Sequence, residues 1–120
     1  SGFVPDAQRF LPAFDIFTLT SLKEGLPYVI LEAGLLGLPI VASSVGAIPE
    51  IFQSLEIGFP KIEINALVKP KDIQAASDAL KKLISDPALR ALMGARLKQK
   101  IAADFTYAAM LEATKRLYKL

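Results

Sequence analysis

Histidine and cysteine are both missing from the 120 residues. The absence of cysteine excludes a disulfide framework and any thiolate metal site, and the loss of histidine as well removes the usual zinc ligands. Without histidine there is no Ser-His-Asp or Cys-His nucleophilic system either. Acid, base or electrostatic work therefore falls to carboxylates, lysines or tyrosines. Long unbroken apolar runs are lacking too. Pro27, Gly34, Gly37 and Pro39 interrupt the most apolar region and Glu32 sits inside it, which argues against a membrane-spanning helix. No signal peptide is visible, so a cytoplasmic setting is expected. Internal repeats and low-complexity tracts are absent. There is no initiator methionine, and Ser1-Gly-Phe-Val-Pro-Asp6 begins as if leaving a strand, as an internal cut of a longer protein would.

An apolar fraction of 52% is enough to build a core, and the length allows one domain, residues 1–120. Charge is unevenly spread. Residues 1–60 carry two basic and six acidic side chains, net −4, and residues 61–120 carry twelve and six, net +6, for a total of +2. So small an excess points to no nucleic-acid partner. The lysines of the second half read first as solvated helix faces, and second as a patch for peripheral contact with an anionic membrane surface.

Between Glu24 and Glu50 the one charged side chain is Glu32, set among Val29, Ile30, Leu31, Leu35, Leu36 and Leu38. A carboxylate buried there would need a partner. Gly25-Leu26-Pro27 opens a helix, because proline suits a first helical position, and Gly37-Leu38-Pro39 closes it. The spacing predicts a helix over Pro27 to Leu36, with Glu24 just before its amino end. Upstream, Asp6 is a candidate cap for a short helix through Phe14, with Phe10, Leu11 and Phe14 at helical spacing. Asp15 to Ser21 and Pro39 to Ser43 read as strands rich in apolar and β-branched residues on both faces, the kind found in parallel sheets. Val45 to Glu50 is a turn into a short helix ending near Ser54, with Glu50 near its dipole. Leu55 to Asn65 reads as loop or edge strand, and Ala66 to Pro70 as a third short strand.

The rest is helical. Lys71 to Ser85 places Ile73, Ala76, Leu80, Leu83 and Ile84 on one face, and Asp86-Pro87 caps a helix running to about Ala103. A last helix, capped by Thr106, aligns Met110, Leu111, Thr114, Leu117 and Tyr118 as core. Strands alternating with helices imply parallel strands and a doubly wound α/β architecture of about three strands with a helical carboxyl-terminal part. Ligands of such sheets bind at the carboxyl ends of the strands. Glu24 lies in the loop after the first strand, beside a helix amino end that suits a phosphate and a glycine that allows close backbone approach. These features point to a phosphate-bearing ligand whose hydroxyls meet two glutamates.

Ser21-Leu-Lys-Glu-Gly-Leu-Pro-Tyr-Val-Ile-Leu-Glu-Ala33, then Gly37-Leu-Pro-Ile-Val-Ala-Ser43, then Gly46-Ala-Ile-Pro-Glu-Ile51 resembles the carboxyl-terminal domain of the retaining, two-Rossmann-domain (GT-B) glycosyltransferases of group 1. The hallmark of that family is two glutamates separated by seven residues, matched by Glu24 and Glu32. Asp86-Pro-Ala-Leu-Arg-Ala-Leu-Met-Gly94 and Phe105-Thr-Tyr-Ala-Ala-Met110 resemble the family's closing helices, so the resemblance covers nearly the whole chain. It implies that Glu24 lies against the donor sugar as the catalytic carboxylate and that Glu32 bonds the ribose. It also implies that the turn of Gly25, Leu26 and Pro27 helps bind the donor, with the N–H groups of Gly25 and Leu26 reaching sugar and diphosphate. The implied reaction transfers a sugar from a nucleotide diphosphate sugar to a hydroxyl acceptor with retention. The donor is a substrate, and no cofactor or metal is implied.

Two departures stand out. Gly46-Ala47 occupies a place where the family pairs glycines. The family's phosphate-binding arginine and lysine, and its acceptor-binding domain, belong to an upstream half absent from these residues, and Lys23 does not match that motif. The chain is therefore expected to be a fragment of a donor-binding domain, inactive alone. The alternative is a non-catalytic nucleotide-binding or assembly module with the same fold. For Gly46 to Glu50 a purely structural turn is favoured, and Tyr28 is read as packing or crevice wall. A homodimer that pairs the open edge of the first strand or buries the Phe3, Phe10 and Phe14 surface is expected, the alternative being a monomer that covers the edge with its own Ser1 to Phe14 segment or a chain only marginally stable in isolation.

Overall fold

The computed structural model describes residue 2 and residues 4–53 and 66–105. The segment read as loop or edge strand before Ala66, the helix expected after Thr106, Phe3 and Ser54 lie outside these residues. A 3-10 helix, Ala7–Ala13, leads into strand β1, Phe17–Leu19, followed by helix α1, Tyr28–Leu35, strand β2, Ile40–Ser43, and helix α2, Ile48–Gln53. Strand β3, Leu67–Val68, then precedes helices α3, Ile73–Ser85, and α4, Pro87–Asp104. The strands form one parallel sheet in the order β1-β2-β3, with Thr18 opposite Val41 and Ser43 opposite Val68. This is the partial, Rossmann-like α/β sheet expected from the alternation of strands and helices.

Burial explains the order. All four residues of β2 are buried, as a central strand covered on both faces must be. β1 lies at one edge, and only Phe17 to Leu19 of the expected Asp15 to Ser21 stretch carries the ladder. Ile30, Ala33, Ile40, Val41, Ile48 and Ile51 make the centre of the core, joined by Leu83 of α3 and Met93, Leu97 and Ile101 of α4.

The helix ends depart from expectation in instructive ways. Pro27 is the N-cap of α1 rather than its first residue, with extended φ −77° and ψ 110°. The Ile30 N–H donates to its carbonyl at 3.1 Å. The carboxyl end closes as read. Gly37 has φ +76°, its N–H donates to the Gly34 carbonyl at 2.9 Å, and the Leu38 N–H donates to the Ala33 carbonyl at 3.1 Å, the double closure that a left-handed glycine permits. Asp6 does not cap the first helix. It is left-handed itself, φ 52°, with no side-chain bond to the helix, a conformation aspartate tolerates. Of that helix's apolar residues only Leu11 is buried, whereas Phe10 and Phe14 are exposed.

α3 also differs from its helical-wheel reading. Leu83 and Ala79 are buried, Ala76 and Leu80 half-buried, but Ile73 is 82% exposed and Ile84 66%. Among the described residues the sheet has three strands, and Ile73 and Ile84 lie on the side of α3 that lines an open cleft rather than on the strip that covers the sheet. Asp72 rather than Lys71 starts the helix, its Oδ1 accepting from the Ala75 N–H at 2.9 Å. Asp86 caps α4 as predicted, accepting from the Leu89 N–H at 2.9 Å, with Pro87 in the first turn. Arg90 turns back and donates to the Leu83 carbonyl at 2.7 Å and the Ile84 carbonyl at 3.0 Å, satisfying the last carbonyls of α3. α4 packs at backbone distance against the turn that ends α1, since a Cβ on Gly94 would fall 1.8 Å from the Gly37 carbonyl oxygen. Among the described residues no helix is long and apolar enough to cross a membrane.

Candidate functional site

The loops that follow β1 and β2 leave the sheet at its carboxyl edge, where parallel strands point their chain ends and ligands of α/β sheets collect. The first loop, residues 20–27, carries four of the five predicted site residues. Glu24 is half-buried, and its Oε1 accepts a hydrogen bond from the Ser21 hydroxyl at 2.6 Å. That length is characteristic of a hydroxyl on a charged carboxylate. Gly25 and Leu26 are exposed, and Pro27 is buried where the loop turns into α1. The N–H groups of Tyr28 and Val29, the first two of α1, have no partner within the helix, and this end carries partial positive charge.

The second loop, residues 44–47, clasps the first. Gly46 has φ +55°, and a Cβ there would fall 2.0 Å from the Glu24 carbonyl oxygen and 2.6 Å from that of Gly25. The Ala47 N–H donates to the Gly25 carbonyl at 3.0 Å. Gly46 is thus more than a turn before a helix. It is where the second loop lies flat on the main chain of the first, in a conformation and at a distance that only glycine allows. Alanine at position 47 does not disturb the turn, because the contact is made by its backbone.

Glu32 is placed differently from expectation. It is exposed on α1, so the cost of burying a carboxylate does not arise. Among the described residues no hydrogen bond or ion pair engages its side chain. The apolar neighbours in sequence point elsewhere, Ile30, Leu31, Ala33 and Gly34 being the buried residues of this helix. Tyr28, one helical turn before Glu32, is 67% exposed, which rules out the packing role. Residues four apart lie on one helix face, so Tyr28 and Glu32 form a polar strip rising about 6 Å from the amino end of α1, the end that Glu24 precedes.

A second concavity opens at the same edge, between the strand ends and α3. This cleft of about 550 Å³ is lined by Thr20, Leu22, Ser43, Lys69, Lys71 and Ile73, among others, and none of the predicted site residues reaches it. Lys71 is left-handed, φ 66°. The sequence offered no signal for the cleft beyond the lysines around Pro70. For Ser21 the signal was present, a hydroxyl three residues before a carboxylate, but such spacing is common in loops.

Residues 1–86 match the profile of the family described as glycosyl transferases group 1. The chain belongs to that family. This group 1 chain is 31% identical over 117 residues to the UDP-Gal:alpha-D-GlcNAc-diphosphoundecaprenol alpha-1,3-galactosyltransferase of Escherichia coli, covering 98% of the chain and 28% of the relative. It is 35% identical over 107 residues to the D-inositol 3-phosphate glycosyltransferase of Corynebacterium jeikeium, covering 89% and 24%. Sucrose-phosphate synthase from Thermosynechococcus elongatus superposes with a TM-score of 0.74 at 26% identity, over 92% of this chain and 26% of that one. The group 1 chain thus spans about a quarter of the length of the curated relatives it matches.

Proposed function

We propose that the protein containing these residues is a retaining transferase that moves a sugar from a nucleotide diphosphate sugar to a hydroxyl acceptor, in a cytoplasmic setting. On this reading the chain is the later part of the donor-binding domain in a two-domain, GT-B enzyme. One observation carries it: Glu24, oriented by Ser21, stands at the carboxyl edge of a parallel sheet, beside the amino end of α1 and clasped by the loop of Gly46. Glu24 faces the sugar, where a carboxylate favours positive charge developing at the anomeric carbon. Gly25, Leu26 and Pro27 shape the turn that offers N–H groups to the sugar and diphosphate. Glu32 accepts from the ribose hydroxyls, for which an exposed, unengaged carboxylate is available. Family membership and the name of the galactosyltransferase relative, which specifies UDP-Gal, support the donor class.

Saturation-transfer NMR with UDP-galactose, UDP-glucose and GDP-mannose, each with the chain, tests the reading. Saturation of ribose and sugar protons that is lost in the Glu24→Ala, Glu32→Ala double variant is the expected result. A spectrum without transfer from any of the three overturns it.

The edge of β1 has no partner strand among the described residues, and Phe10 and Phe14 are exposed nearby in sequence. We propose this edge as a contact surface, used by the isolated chain to form a homodimer.

A further inference from the structure

We infer that Ser21 is a positioning residue for the Glu24 carboxylate, and that with the Gly46–Ala47 clasp it holds that carboxylate in one orientation before any ligand arrives. The inference rests on the donor-binding reading above and adds a residue outside the two-glutamate hallmark.

A glutamate in a loop has three side-chain torsions and normally samples many rotamers. Here its main chain is fixed from one side. The Gly46 backbone lies against the Glu24 and Gly25 carbonyl oxygens with no room for a methyl group, and Ala47 hydrogen-bonds Gly25 at 3.0 Å. Its side chain is fixed from the other. The Ser21 hydroxyl donates to Oε1 at 2.6 Å in a partly buried setting, and partial exclusion of water strengthens such a bond. Among the described residues nothing else engages the carboxylate, so Oε2 has no hydrogen-bond partner within them. The intervening Leu22 and Lys23 are both exposed. The two devices are independent, one acting on the backbone and one on the carboxylate, and both act on Glu24. Preorientation of this kind is what an electrostatic group needs in order to act without reorganising when charge develops.

Glu32 makes a useful contrast. It stands on α1, and among the described residues nothing engages its carboxylate, as suits a group that contributes binding. Loss of the serine hydroxyl should therefore weaken contact with the sugar while leaving contact with the nucleotide unchanged.

The test compares Ser21→Thr with Ser21→Val, two side chains of one shape that differ in the hydroxyl, so a folding defect common to both is recognised by its equal thermal melt. The readout is the ratio of sugar-proton to base-proton saturation in NMR, using UDP-galactose, UDP-glucose and GDP-mannose as probes. Threonine should keep the wild-type ratio, and valine should lower it to that of Glu24→Ala with base-proton saturation unchanged. An equal ratio in the two variants, with nucleotide sugar bound, overturns the positioning role and leaves the donor reading standing. No saturation from any probe in the wild-type chain overturns both.

Discussion

At the scale of single residues, the proposed function gives the two glutamates separable tasks. In the protein that carries this chain, Glu24→Gln should lower kcat by about 100-fold or more with KM little changed, because a carboxylate near the anomeric carbon acts chiefly in the transition state. Glu32→Gln should instead raise KM for the donor by about tenfold, the worth of one hydrogen bond to a charged group. Steady-state kinetics with the donor varied separates the two, and an unaltered kcat in Glu24→Gln refutes the assignment. Gly46→Ala is a test of the clasp. Its Cβ has no space before the Glu24 carbonyl oxygen, and a left-handed alanine is strained as well, so a loss of about 2–3 kcal/mol is expected in urea unfolding. The spacing of Glu24 and Glu32 was legible because it is a local pattern. The Gly46 contact was not, since it joins loops more than twenty residues apart.

Among the elements, α3 separates what a pattern can tell from what packing decides. Ile73, Ala76, Leu80, Leu83 and Ile84 recur at helical spacing, yet only Leu83 of these is fully enclosed. Periodicity identifies the face a helix turns inward, but it carries no information about how wide a surface that face will meet. Leu83→Ala should cost about 3 kcal/mol, and Ile84→Ala less than about 0.5 kcal/mol, as judged by chemical denaturation of the two variants. The caps were easier to read. Asp86-Pro87 is a local signature that needs no tertiary help, and Asp86→Ala should cost about 1 kcal/mol. Asp6 carried the same kind of signal and failed, because the chain there turns through a left-handed residue rather than presenting its carboxylate to the helix.

For the molecule as a whole, the isolated chain should bind nucleotide sugar weakly, with Kd on the order of millimolar. It should not catalyse transfer. The departing diphosphate needs cationic groups around it, and Lys23 is exposed and outside the motif expected to supply them. Sugar transfer measured with these 120 residues alone would contradict this. Association is the second property of this scale. A strand edge unpaired among the described residues, with exposed phenylalanines nearby in sequence, favours pairing of two copies about a twofold axis. Light scattering at micromolar concentration should give twice the 13.0 kDa chain mass, and a clean monomer with a cooperative melt would refute the dimer.

What the sequence determined by itself is local in origin. Alternating strands and helices, the stops at Gly37 and Asp86, and two glutamates around one helix start all follow from chemistry within a few residues, and together they point to a parallel sheet with a site at its carboxyl edge. Tertiary structure decided which groups meet there. It turned Glu32 to solvent although its neighbours in sequence are apolar, because a helix distributes neighbours around its axis and buries only one side. It laid Gly46 on the main chain of Glu24, and it left Ile73 and Ile84 exposed beside a cleft. Burial depends on surfaces brought together from distant parts of the chain, and no short stretch of residues encodes that area.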